Sequence, residues 1–211
     1  MTSILRRGTV ATAAALSVAG LAAATTPAQA DTTLPVHWNA QVTTYVKGMD
    51  KTVAFPQGSF DGTATLESHT FTGTMALPSA TSTLNGPVFG LPLATIEMKV
   101  VPVKPVAGSF TIDGPVWLMK AKQRFKIQIV SIKGPAGLIN YVPPTCMTAT
   151  PTTAVLKGDL DWSKTGEGSF SDYHLKGNYT IPEFTGCGLL TPAINLMVPG
   201  PGNTLDAHFT S

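Results

Sequence analysis

The feature that most constrains this chain is an alternation of apolar and polar side chains with a period of two, recurring from Trp38 to the C-terminus. Trp38, Ala40, Val42, Thr44 and Val46 alternate with Asn39, Gln41, Thr43, Tyr45 and Lys47. Successive side chains of an extended strand point to opposite faces, so a run of this kind buries one face and wets the other. Phe71, Gly73, Met75 and Leu77 repeat the pattern against Thr70, Thr72, Thr74 and Ala76, and Ile96, Met98 and Val100 repeat it against Thr95, Glu97 and Lys99. Phe125, Ile127 and Ile129 follow suit, as do the stretch from Tyr173 to Ile181 and the triplet Leu205, Ala207 and Phe209. Lys120, Lys122, Arg124 and Lys126 alternate with Met119, Ala121, Gln123 and Phe125, which places the positive charges on one solvated strand face.

Turn formers stand between the runs, among them Gly48-Met49-Asp50, Pro56-Gln57-Gly58, Asn85-Gly86-Pro87, Asp113-Gly114-Pro115 and Pro199-Gly200-Pro201-Gly202. Strands punctuated this often predict an all-β domain, an antiparallel β-sandwich or a partly open barrel. No linker or compositional break divides residues 31–211, so one domain is expected there. One short helix is expected near the C-terminus. Thr191-Pro192 offers a cap and an N-terminal proline, Ala193 to Val198 is almost wholly apolar, and Pro199-Gly200 stops it. So short a helix is unstable alone, and is expected to be buried as a plug over one end of the sheet near Cys187. Gly73 to Thr81 and Gly177 to Thr185 echo one another, each with Gly, an apolar-Pro pair four residues on, and Thr at the same spacing. The echo points to two related strand-turn units.

The first thirty residues have a different texture. Arg6 and Arg7 precede an uncharged Ala/Val/Leu stretch from Val10 to Ala24, and Ala28-Gln29-Ala30 stands before Asp31. A positive start, an apolar middle and an Ala-x-Ala site predict a secretory signal peptide over residues 1–30, cut between Ala30 and Asp31. A transmembrane anchor needs roughly 20 apolar residues, and this stretch is shorter and interrupted by threonine. Asp31 in place of a cysteine gives no site for a lipid anchor, so a secreted, extracellular or wall-associated protein is expected. Without Arg6 and Arg7, 12 basic and 12 acidic side chains remain. A chain of zero net charge offers no net attraction for nucleic acid or an anionic bilayer.

Cys146 and Cys187 are the only cysteines, and with no Cys-x-x-Cys pair or histidine cluster nearby they are expected to form a structural disulfide. The stretch from Ile181 to Thr204, Ile-Pro-Glu-Phe-Thr-Gly-Cys-Gly-Leu-Leu-Thr-Pro-Ala-Ile-Asn-Leu-Met-Val-Pro-Gly-Pro-Gly-Asn-Thr, is the most distinctive text in the chain. It resembles the C-terminal segment of a family of secreted, uncharacterised actinobacterial proteins found among streptomycetes and mycobacteria. The Ala-rich leader and the Leu77-Pro78 segment resemble the same family, which implies bacterial export and an all-β fold, with no catalytic residue to carry over.

Signatures of common catalysts are missing: there is no Gly-x-Ser-x-Gly, His-Glu-x-x-His, P-loop or dinucleotide-binding glycine motif, and no cofactor is expected. Asp159, Asp161 and Ser163 sit at the first, third and fifth positions of a calcium loop, but Lys164 and Phe170 occupy places that need glycine and glutamate. Asp159 or Asp161 with Glu167 would serve a glycan-processing hydrolase if they lay about 5–9.5 Å apart across a cleft, although twelve scattered acids supply such pairs by accident and a turn with solvated acids is the ordinary reading. His37, His69, His174 and His208 are isolated in sequence, with no spacing for a metal. Trp38, Trp117 and Trp162 could stack on sugars, although separated tryptophans more often belong to a core.

Loops are normally polar, and here three are not. Val88 to Leu93 with Phe89 and Leu91, Leu138 to Val142 with Ile139, and Leu189 to Val198 with Leu190 and Leu196 are apolar, so each needs burial or a partner. The expected function is therefore a secreted, non-enzymatic interaction or structural role in the envelope, with a cell-wall component, a lipid or another secreted protein as partner. A hydrophobic-ligand carrier with a cavity lined by Phe89, Leu91, Ile139 and Leu196 is the first alternative, and a glycan-processing hydrolase using Asp159, Asp161 or Glu167 is the second.

Overall fold

The computed structural model describes residues 31–85, 92–161, 163 and 172–211. The expected leader over residues 1–30, and with it Ala30, lies outside the described residues, as do Phe89, Leu91, Trp162 and Glu167. Residues 31–211 form one compact unit. Its strands are β1 (Thr33–Val46), β2 (Lys51–Ala54), β3 (Gly58–Thr65), β4 (Thr70–Ala76), β5 (Ala80–Asn85), β6 (Pro92–Pro102) and β7 (Val106–Asp113). β8 (Val116–Lys133), β9 (Met147–Thr148), β10 (Thr152–Asp161), β11 (Tyr173–Ile181), β12 (Phe184–Thr185) and β13 (Gly200–Thr210) follow, with helix α1 (Thr191–Met197) between β12 and β13.

The expected antiparallel all-β domain with one C-terminal helix is what the chain forms. Its strands make a single sheet, and the sheet closes. β1, β3, β4, β7, β8, β10, β11 and β13 each pair antiparallel with the next, and β13 returns to β1. The pairing of β8 with β10, Val116↔Asp161 through Phe125↔Thr152, completes the ring. Neighbours in the ring are neighbours in the sequence, which makes it an up-and-down barrel of eight strands.

The two ends of the barrel differ. At the hairpin end, residues 66–69 join β3 to β4, and residues 114–115 join β7 to β8. At the insertion end the chain detours between β1 and β3 through β2, between β4 and β7 through β5 and β6, between β8 and β10 through β9, and between β11 and β13 through β12 and α1. Long β1 and β8 overshoot the ring there, carrying β2 and β6 as extra partners.

The alternation predicted from sequence decides what fills the barrel. Trp38, Phe60, Phe71, Tyr173 and Phe209, one from each of five consecutive strands, meet inside the hairpin end. Trp38 stacks on Phe60 at 5.5 Å and meets Tyr173 edge-on at 5.4 Å, and Tyr173 stacks on Phe209 at 5.0 Å. Such pairs add about 0.5–1.5 kcal/mol each beyond the area they bury. Rings this large fit only because inward positions beside them are glycine. A Cβ on Gly73 would lie 2.5 Å from Phe60 Cζ, and one on Gly108 would lie 2.1 Å from Phe71 Cζ. Small barrels fill their taper by alternating large and small side chains in this way.

Three expectations change in detail. His69 stands two residues before Phe71 on the same apolar register, a position that predicts a strand start with a capped or partly buried ring, yet it is exposed in the β3–β4 turn, where its backbone is left-handed with φ 51°. The Thr191 hydroxyl does not cap α1, because it donates backward to Gly188 O at 2.9 Å. Burial of α1 is met on one face only: Ile194 and Val198 are buried, one turn apart, while Leu196 and Met197 are exposed.

Candidate functional site

The insertion end is built from two loop segments joined covalently. Residues 134–151 and 184–205 contain no charged side chain. Cys146 and Cys187 form the expected disulfide between them, closing a separation of 41 residues. Around it β9 pairs with β12, Thr145 Oγ1 donates to Gly186 O at 2.9 Å, and Ala149 N donates to Glu183 O at 2.8 Å. Asn195 of α1 fixes the helix by bonding both the N–H and the C=O of Phe184, at 2.7 and 3.0 Å. Asn140 folds the other loop back in the same manner, accepting from Ile132 N and donating to Val130 O.

With backbone groups satisfied internally, the apolar side chains on these segments are left outside. Leu138, Leu189 and Leu196 are 88%, 99% and 87% exposed, and Ile139, Tyr141 and Met197 are exposed beside them. Leu190 is half-buried and packs against the core. Single exposed leucines are ordinary on protein surfaces, whereas several on adjoining uncharged loops form a patch. Of the residues singled out in sequence, Ile139, Leu189 and Leu196 thus belong to a surface, and none of them lines the interior.

Charges on the rim of this patch are mixed. Lys133 precedes the first loop, Lys126 Nζ donates to Ala149 O at 3.2 Å, and the Lys47 side chain packs at Gly202. Glu183 borders the second loop, and Asp50, beyond Lys47, accepts from Tyr45 Oη at 2.7 Å. At the hairpin end the tips carry Asp31, Glu67, Asp113, Asp161 and Asp172, with no lysine or arginine among the described tip residues. The equal numbers of acidic and basic side chains in residues 31–211 therefore conceal a unit acidic at one end and with lysines at the other.

Inside the barrel runs an apolar cavity of about 90 Å³. Phe60, Phe71 and Phe209 line it toward the hairpin end; Phe55, Ile181 and Val198 line it toward the insertion end, so α1 does plug that mouth through Val198. Polar groups within are few. Thr44 Oγ1 donates to Thr204 O at 2.7 Å and so accepts from Tyr179 Oη at 2.8 Å, since it has a single proton to give. Burial pushes the Tyr179 hydroxyl above its ordinary range, partly offset by that bond. Gln123 also lines the cavity; its amide nitrogen donates to Lys104 O and Arg124 O, but its Oε1 is buried without a hydrogen-bond partner.

The remaining chemistry is on the outer wall. His174 Nδ1 and Lys176 Nζ hold Asp206 at 2.7 and 3.2 Å, His208 Nε2 meets Asp172 at 2.8 Å, and the two imidazoles stack at 4.3 Å. His37 is paired with Asp61 across β1 and β3. These are cross-strand pairs of exposed and half-buried residues on the outer wall, and such pairs contribute little to stability. No group of three metal-binding side chains comes together among the described residues. Asp159 points outward from β10, away from the cavity, while Leu160 points in. Trp38 belongs to the aromatic core and Trp117 stacks on Phe110 at 4.6 Å, so these two tryptophans form no exposed row.

Comparison with protein families, with curated proteins and with solved structures yields no match. Function is therefore read from geometry alone. The sequence pattern puts Gly73 on the inward register but does not show that its missing side chain makes room for the Phe60 ring, nor that Lys47, Lys126 and Lys133 border the apolar loops.

Proposed function

We propose that this chain is an exported, non-catalytic barrel protein that engages a component of the cell envelope through the apolar surface at its insertion end. One observation carries the reading: Leu138, Leu189 and Leu196 stand almost fully exposed on uncharged loops that a disulfide and two asparagine clamps hold in place. Exposing three leucines on well-anchored loops is unfavourable in water, so a covering partner explains their position. The direct test is fractionation of the producing cell with the triple variant Leu138→Ser, Leu189→Ser and Leu196→Ser. These side chains bury little, so folding is retained, and the variant is expected to move from the envelope fraction into the medium. An unchanged distribution of a folded variant would sink the reading.

A second reading has its own support in the cavity with its unpartnered Gln123 Oε1. At about 90 Å³ the space falls well below the roughly 300–1,000 Å³ of ordinary ligand pockets, so it suits a small hydrocarbon-sized molecule bearing one hydrogen-bond donor, and not an acyl lipid. Native mass spectrometry of the protein from its own medium distinguishes the two: a bound small mass, lost on Gln123→Leu, is required by the second reading alone.

A further inference from the structure

We propose that the envelope component covering the insertion end is an anionic lipid surface, into which Leu138, Leu189 and Leu196 dip while Lys47, Lys126 and Lys133 lie against the head groups. This rests on the reading that the insertion end is the working surface, and names its occupant. Three observations combine. First, α1 turns Ile194 and Val198 into the barrel mouth and Leu196 and Met197 away from it, so a helix of seven residues has an apolar outer face that none of the described residues covers. Second, the leucines stand on two separate segments, Leu138 on one loop, Leu189 and Leu196 on the other, each almost fully exposed. Separate apolar tips on a charge-free platform are suited to a soft apolar phase that takes each tip independently.

Third, charge orients the molecule. Lys47, Lys126 and Lys133 border the uncharged loops together with the acids Glu183 and Asp50, the latter bonded by Tyr45 Oη, whereas the far end presents Asp31, Glu67, Asp113, Asp161 and Asp172 with no lysine or arginine among its described tip residues. An anionic surface attracts the first end and repels the second, although the sum of charges gives no overall pull. Apolar tips and basic flanks are the two signals that together give reversible interfacial binding.

The probe is sedimentation of the protein with sucrose-loaded vesicles, either pure phosphatidylcholine or phosphatidylcholine with a third phosphatidylglycerol, at about 0.1 M salt. The protein is expected to sediment with the anionic vesicles and remain in solution with the neutral ones. Leu138→Ser, Leu189→Ser and Leu196→Ser together should weaken the partition at least about tenfold. Lys47→Gln and Lys133→Gln should each weaken it up to about fivefold, an effect that disappears at 1 M salt. Glu67→Gln at the opposite end should leave it unchanged. Failure to sediment with anionic vesicles, equal binding to neutral ones, or indifference to the leucine variant would overturn the proposal. If the leucine variant still leaves the envelope fraction of cells while the wild type ignores vesicles, the working surface stands and its occupant is a protein or wall polymer, which overturns the lipid assignment alone.

Discussion

Replacing Gly108 by alanine tests whether glycines are what allow this barrel to close around its rings. Alanine in place of a strand glycine is normally favourable by about 0.5–1 kcal/mol, because the unfolded chain loses less freedom. Here the new methyl would lie 2.1 and 2.4 Å from Phe71 Cζ and Cε1, and 2.6 Å from Lys120 O. Carbon atoms rest comfortably at about 3.5–4.0 Å, so the ring must retreat by about 1.5 Å. It can retreat only inward, toward Phe60, whose ring already lies 6.4 Å away edge to face. Overpacking costs about 1–3 kcal/mol, and overlaps this deep belong near about 2.5 kcal/mol, so after the entropic gain of about 0.5–1 kcal/mol the net loss is about 1.5–2 kcal/mol. For a unit of this size the thermal midpoint should drop by about 2–8 °C. Urea unfolding followed by tryptophan fluorescence measures it. The Phe71→Leu background supplies the control, because leucine lacks both clashing atoms, and there the penalty should shrink by at least about 0.5 kcal/mol, leaving the contact with Lys120 O. A neutral or stabilising Gly108→Ala, or a penalty of the same size in both backgrounds, would show that space around Phe71 is not what the glycine provides.

Two further outcomes are expected. Converting Cys146 and Cys187 to serine together should cost up to about 4 kcal/mol, the chain-entropy value for a loop of 41 residues; hydrogen exchange should show β9, β12 and α1 losing protection before the ring strands do. Burial works against the charged form of Asp206, but the bonds from His174 and Lys176 outweigh it and hold its carboxyl below the ordinary carboxylate range. A depressed carboxyl stabilises the fold above its unfolded pKa and loses that contribution as pH falls, so Asp206→Asn should flatten stability against pH below about pH 4, seen as a smaller acid-induced drop in the urea midpoint.

Much of the fold was legible in sequence because a period of two leaves little freedom: β1, β4, β6, β8, β11 and β13 fall where the alternation placed them. β3, β7 and β10 were harder to read, since glycines at 62, 108 and 158 interrupt their apolar registers. Closure was not legible at all. It depends on β1 pairing with β13, a match across about 160 residues that no local pattern encodes. The echo between Gly73–Thr81 and Gly177–Thr185 gains a spatial meaning from the ring, because β4 and β11 stand four strands apart, on opposite walls. As for the site, the apolar loops were evident as text, but exposed and sealed leucines are spelled alike. Only the direction in which α1 turns Ile194 and Val198 separates the two.

The pairing of β1 with β13 sets an order of events in time. Every other contact around the ring joins strands close in sequence, whereas Thr44 meets Thr204 across 160 residues. A chain that is made, or threaded through a pore, from its N-terminus first can build hairpins as they emerge. It cannot seal the seam until its final strand is free. Until then Val42 and Val46 on one side and Ala207 and Phe209 on the other have no shared interior to enter. The last residues to arrive thus act as a latch, and the chain stays threadable for as long as that latch is missing.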